Sequence, residues 1–200
     1  MRKRKASDDE IFAAVQRAMQ HHGPNELTLA HIAAEAGVTP GLLVQRFGGK
    51  RELLLAVSRQ FAGSAAAGFE ALRAAHHTPL ATLRAYAACM AGLASTPDAL
   101  ARNLAYLHVD LTDEAFRKNL LENAYTTRFE IELLVRSAIV ARELRRGHYA
   151  ASLARTIEAV IGGSLMSWAC YRRGDAASWI LEDLEAVLKP YLSPARGRSG

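Results

Sequence analysis

Cysteine, long apolar runs and strand-like alternation are all scarce in this chain of 200 residues, and each shortage removes a class of protein. The two cysteines, Cys89 and Cys170, stand alone without CxxC or Cys/His ligand spacing, so neither a disulfide framework nor a metal site is indicated. Both sit in apolar helical patterns and read as buried free thiols. The longest nearly apolar stretch, 159–170, holds two glycines and two serines and is too short to cross a bilayer. The basic N-terminus Met1-Arg-Lys-Arg-Lys5 runs into Asp8-Asp9-Glu10 with no apolar segment behind it, which argues against a signal peptide and for a soluble, cytoplasmic protein. No run of Val, Ile and Thr alternates with polar residues between turn signals, so the chain is expected to be all-α. Catalytic signatures are missing as well: there is no HExxH, no Glu-x-x-His pair and no GxSxG, and Gly48-Gly49-Lys50 lacks the strand and spacing of a phosphate loop. An enzyme reading has no residues to stand on, and neither a cofactor nor a metal is expected.

What the chain does have is alanine and leucine, with half its residues apolar, enough for a sizeable core. Its formal charge of +5 is unevenly spread. Residues 1–60 carry nine Lys/Arg against six Asp/Glu, whereas the other 140 carry sixteen against fourteen. Basicity therefore gathers around the stretch from Thr28 to Phe47.

That stretch reads as two short helices joined by a tight turn. Thr28 is a good N-cap, Leu29, Ile32, Ala33 and Ala36 recur at helical spacing, and Gly37 stands where a left-handed residue ends a helix. Thr39 caps the second helix, Pro40 suits its first turn, and Leu43 with Phe47 forms an i, i+4 anchor. Pro40, Gly41, Leu42, Val44, Gln45 and Arg46 are left facing outward. Ahead of this helix-turn-helix, Ser7 or Asp8 caps a helix whose Ile11, Ala14, Val15, Ala18 and Met19 follow the spacing of an amphipathic stripe, expected to pack on Ile32, Leu43 and Phe47. After it, Lys50 and Arg51 lie at the start of a further helix, where exposed N–H groups attract anions; a phosphate would reconcile cations with that end of the dipole.

Residues 8–60 resemble the N-terminal domain of the tetracycline-repressor (TetR) family of bacterial transcriptional regulators, through the apolar first helix, Thr28, Ile32-Ala33, Ala36-Gly37-Val38-Thr39, Leu43, Phe47 and Lys50-x-Glu52-Leu53. The chain departs from the family at Val44, where an aromatic is usual, at Arg46, often a histidine, and at Ala30, an arginine in some members. The resemblance implies an N-terminal three-helix DNA-binding domain over 1–55, and a larger helical domain for ligand binding and dimerisation over 56–194. A short disordered tail is expected over 195–200. It also implies contact with double-stranded operator DNA. Thr28, His31, Arg46 and Lys50 would hold phosphates, and Thr39, Pro40, Gly41, Leu42, Val44 and Gln45 would form the rest of the surface in the major groove. The basic residues 2–5 would lie along the phosphates or in a minor groove.

Helical patterns continue beyond residue 50. One runs to about Ala75, and others follow over 79–94, from Thr96 through His108, and from about Thr112 until Arg145-Arg146-Gly147 stops the last of them. Together with the resemblance, these aromatic and aliphatic stripes point to a mostly apolar effector pocket with Leu83, Tyr86, Met90, Leu104, Leu107, His108, Phe116, Tyr125, Phe129 and Trp168 as candidate lining. Two final helices, over about 149–172 and from Asp175 to about Tyr191, resemble the family's C-terminal pair, which packs against its copy in a homodimer. The function expected is a ligand-responsive regulator, a repressor released from a palindromic operator by a small, mostly hydrophobic molecule. The alternatives are an activator, or a helical small-molecule-binding protein or enzyme with a vestigial DNA-binding motif.

Overall fold

Short-range capping sets most helix boundaries. The computed structural model describes residues 6–93 and 95–194, which contain nine α-helices, one 3-10 turn and no strand. By packing, the described residues of 1–64 and 94–123 form one compact unit, and those of 65–93 and 124–200 form another. The first unit is thus interrupted in sequence, and its edges do not follow a single boundary at residue 55. The basic arm 2–5 and the tail 195–200 lie outside the described residues.

The first unit is built on α1 (Asp8–His21), α2 (Leu29–Ala36) and α3 (Pro40–Phe47), with the first part of α4 (Lys50–Ala75). Ser7, rather than Asp8, caps α1: its hydroxyl accepts from Glu10 N while the Glu10 carboxylate accepts from Ser7 N, a reciprocal box worth about 1 kcal/mol. Ile11, Val15, Leu27, Ile32, Leu43 and Leu53 are fully buried in one cluster, with the partly buried Phe12 and Phe47 rings 5.8 Å apart at its edge. Two later elements complete this unit, α6 (Pro97–Thr112) and the start of α7 (Glu114–Val140). From α6, the Tyr106 hydroxyl donates to the His22 carbonyl at 2.8 Å and Arg102 Nε to the Gln20 carbonyl at 2.6 Å, so carbonyls at the end of α1 gain partners from a distant helix. Arg51 pairs with Asp113 at 2.7 Å and lies over the Phe116 ring.

The second unit packs α5 (Pro79–Ala91), α8 (Ala150–Tyr171) and α9 (Ala176–Leu188) with the remainders of α4 and α7. Its core is Leu83, Ala87, Leu153, Ile157, Ile161, Leu165, Trp168, Ile180, Leu184 and Leu188. Arg84 grips Glu185 through two hydrogen bonds, and Arg73 pairs with the buried Glu130 at 2.7 Å.

Two expectations need correction. Cys89 and Cys170 are free but exposed, because each falls on the outward side of its helix. The helix expected to run to Arg145 stops at Val140: Arg142 turns left-handed at φ 61°, and the Glu143 and Leu144 N–H groups both bond back to the Ala138 carbonyl. No helix among the described residues is long and apolar enough to cross a membrane.

Candidate nucleic-acid interface

The turn between α2 and α3 aims one face of α3 at solvent. Gly37 adopts φ 65° and ψ 30°, a conformation that costs a residue with a Cβ about 1 kcal/mol or more, and the Val38 N–H bonds to the Ala33 carbonyl at 3.0 Å. Thr28 and Thr39 cap the two helices by accepting the His31 and Leu42 N–H groups at 3.2 and 3.3 Å. Each hydroxyl keeps its own proton for donation elsewhere. Leu43 is fully buried beneath, whereas the next residue, Val44, is 47% exposed. Seven of the ten residues expected to meet DNA are exposed, Arg46 among them, and the six others, Thr28, Thr39, Pro40, Gly41, Val44 and Gln45, stand open. A Cβ added at Gly41 would meet nothing within 4 Å, so the fold itself does not require a glycine there.

The other four are held by the chain. Leu42 packs against the core cluster. Arg46 donates to the Ala6 carbonyl at 2.6 Å and pairs with Asp8 at 2.7 Å. The Lys50 ammonium bonds to the Pro24 and Leu27 carbonyls at 3.0 and 2.8 Å, which ties α4 to the loop before α2. His31 is half-buried and stacked on His22, with ring centroids 3.9 Å apart, and its buried Nδ1 has no hydrogen-bond partner. At the start of α4 the place offered to a phosphate already holds a carboxylate: Glu52 Oε2 lies 2.8 Å from where a Cβ on Gly49 would be. Sequence reasoning missed Ala6 and Ser7, which with Leu42, Gln45 and Arg46 wall a surface pocket of about 510 Å³ beside α3. No sequence signal links them to α3, since the Arg46–Ala6 bond spans 40 residues.

The ten residues expected to line an effector pocket are dispersed. In the first unit Leu104, Leu107 and His108 lie on the exposed side of α6 and Phe116 is buried. In the second, Leu83 and Trp168 are core residues, Met90 is half-buried, and Tyr86 stacks on Phe69 at 4.5 Å, its burial pushing the phenol pKa up to about 12. Tyr125 and Phe129 face solvent on α7, at 66% and 59% exposure.

Residues 11–57 match the family model for bacterial regulatory proteins of the tetR family. Among solved structures the chain is similar to a TetR transcription regulator from Haloarcula marismortui ATCC 43049, at 17% identity and TM-score 0.72 over 93% of this chain and 98% of that one. It is similar to SmeT, the repressor of the Stenotrophomonas maltophilia multidrug efflux pump SmeDEF, at 22% identity and TM-score 0.66 over 96% and 93%. It is also similar to the transcriptional regulator FadR from Bacillus subtilis, solved in complex with stearoyl-CoA, at 17% identity and TM-score 0.68 over 90% and 97%. No curated protein matches significantly. At such identities the structures speak to the fold, and the family model speaks to the helix-turn-helix. Residues 11–57 thus match the tetR-family helix-turn-helix, and the described residues share the all-α fold of the TetR-family structures they resemble.

Proposed function

We propose that the protein is a repressor that binds a two-fold symmetric operator as a homodimer and leaves it when a small, mostly hydrophobic molecule binds. The observation that carries the DNA half is the open face of α3 above the fully buried Leu43. Gln45 offers a hydrogen-bonding amide to a base edge, and Val44 and Pro40 offer apolar atoms to thymine methyls. At Gly41 the bare backbone allows close approach, a use that the chain's own packing does not supply. Thr28, Thr39, His31 and Lys50 would position the helix on phosphates. Arg46 joins them by exchanging Asp8 for a phosphate, which is cheap because an exposed ion pair holds by about 1 kcal/mol or less.

Dimerisation through α8 and α9 is supported by the outward side of α8, where Ala159, Gly162, Gly163 and Met166 are exposed and a Cβ at either glycine would meet nothing within 4 Å. A two-fold dimer would set two α3 helices about 34 Å apart, one turn of B-DNA. For the effector, SmeT represses a drug pump and FadR binds a long-chain acyl thioester, which favours a hydrophobic ligand here. To release DNA it must bind the off-operator state more tightly, by about 10²- to 10⁴-fold. Footprinting on DNA flanking the protein's gene tests the reading. The expected result is protection of a symmetric site whose half-sites are one helical turn apart, with sedimentation giving a dimer. Protection of a single half-site by a monomer would overturn it.

A further inference from the structure

The loop after α7 carries three arginines against one acid between residues 140 and 149, and their partners divide them into two kinds. Glu143, the acid, turns its carboxylate to the Leu80 N–H at the start of α5, at 3.1 Å. Arg145 is held by the C-terminal segment, its Nε donating to the Leu192 carbonyl at 3.0 Å. Arg142 and Arg146 are different: no carboxylate among the described residues pairs with either guanidinium. Both border one surface pocket of about 440 Å³, together with Leu144, Ser193 and Pro194.

The pocket wall is tied down on both sides. Leu144 is almost fully buried and forms a single antiparallel bridge with Leu192. The Arg145 N–H bonds to the Tyr191 carbonyl at 2.8 Å, and the Ser193 N–H to the Glu143 carbonyl at 2.9 Å. The Tyr149 ring packs at a tilt against Tyr191, with centroids 4.7 Å apart, and its hydroxyl donates to the Arg145 carbonyl. Arg142 itself sits at φ 61°, at the end of a helix, where glycine is the usual residue. A side chain retained in a left-handed position points to a use for that side chain.

We propose that Arg142, Arg146 and Ser193 form a binding site for a small phosphorylated anion. Two guanidiniums with forked N–H donors and one hydroxyl suit the oxygens of a phosphoryl group, and Arg is the side chain best shaped for it. The pocket is large enough for a phosphoryl group with an organic remainder. None of the ten residues assigned to the hydrophobic effector touches it, so this is a second site, independent of that reading.

The test uses the full chain, with inorganic phosphate and glycerol phosphate as probes, titrated by calorimetry at constant ionic strength, with sulfate and chloride as controls. Wild type is expected to bind a phosphoryl probe at millimolar concentration or tighter and to prefer it to chloride. Arg142→Gly and Arg146→Gln should each weaken binding by tenfold or more and together abolish it. Arg142→Gly also relieves the left-handed backbone, so lost binding with an undiminished melting temperature cannot be laid to misfolding. Preference for glycerol phosphate over inorganic phosphate would mark an organic phosphate as the ligand, and equal binding would mark phosphate itself. Binding that survives both substitutions, chloride acting as well as phosphate, or no binding at 50 mM (about the practical limit for so weak a site) would overturn the proposal.

Discussion

The helix-turn-helix and the residues proposed to hold the effector rest on the same sequence signal, apolar side chains at helical spacing, and they fare differently in the structure. In α2 and α3 every signal is short-range: Thr28 and Thr39 cap, Gly37 turns left-handed, and Ile32 and Leu43 go inward. Periodicity there decides which side of a short helix is buried, since one small core lies beneath it. On α7 the same periodicity picks out Tyr125 and Phe129, which are exposed, while Ile131, Leu134 and Val135 are buried. Along a 27-residue helix with apolar residues on more than one side, spacing alone does not say which side meets the core.

The largest expected effect compares two neighbours on α3. Leu43→Ala should destabilise the protein by about 2–5 kcal/mol in chemical denaturation, because the residue is fully buried in a packed cluster. Val44→Ala, one residue along and half open, should change stability by no more than about 0.5 kcal/mol. Equal losses at the two positions would break the division between a buried and a reading face. Next in size, Gln45→Ala should weaken operator binding by about 1–3 kcal/mol while leaving the denaturation midpoint in place. A shift of the midpoint without loss of affinity would make Gln45 structural.

Asp110 lies half-buried on α6. Burial raises its carboxyl pKa to about 6, and no ion pair among the described residues offsets it. Since its folded pKa lies above the unfolded 3.8, the charged form is penalised in the folded state, so stability is lost as pH rises from about 4 to about 6. Asp110→Asn should therefore stabilise the protein at pH 8 by about 1 kcal/mol, a figure reduced for the carboxyl's partial exposure, with the gain vanishing near pH 4 in thermal melts. A gain independent of pH would show that the charge is not its cause. Smallest of all, Gly41→Ala should stabilise the protein by about 0.5 kcal/mol, the position being helical and open, yet weaken operator binding if DNA approaches the bare backbone there.

Legibility follows sequence distance. Caps, turns and the inward stripe of α1 depend on residues three or four apart, and they were readable. The partners of Arg46 and Lys50 were not, because Ala6 and the carbonyls of Pro24 and Leu27 lie 40, 26 and 23 residues away. Those contacts make the two cations part of the scaffold as well as candidates for phosphate. The exposure of Cys89 and Cys170 was hidden for the same reason, since it depends on what packs against the helix. The exposed positions of α3 were thus legible, whereas the partners of the cations beside it were not.

In the proposed function the open face of α3 reads DNA while the cations around it hold phosphates. Fluorescence anisotropy of the purified protein on the DNA beside its gene, across a salt series and against a shuffled sequence, tests it most directly. If each subunit of a dimer neutralises about four phosphates, log K should fall against log salt with a slope of about −7, and the native sequence should bind more tightly than the shuffled one. A slope near zero, or equal affinity for both sequences, would contradict the claim.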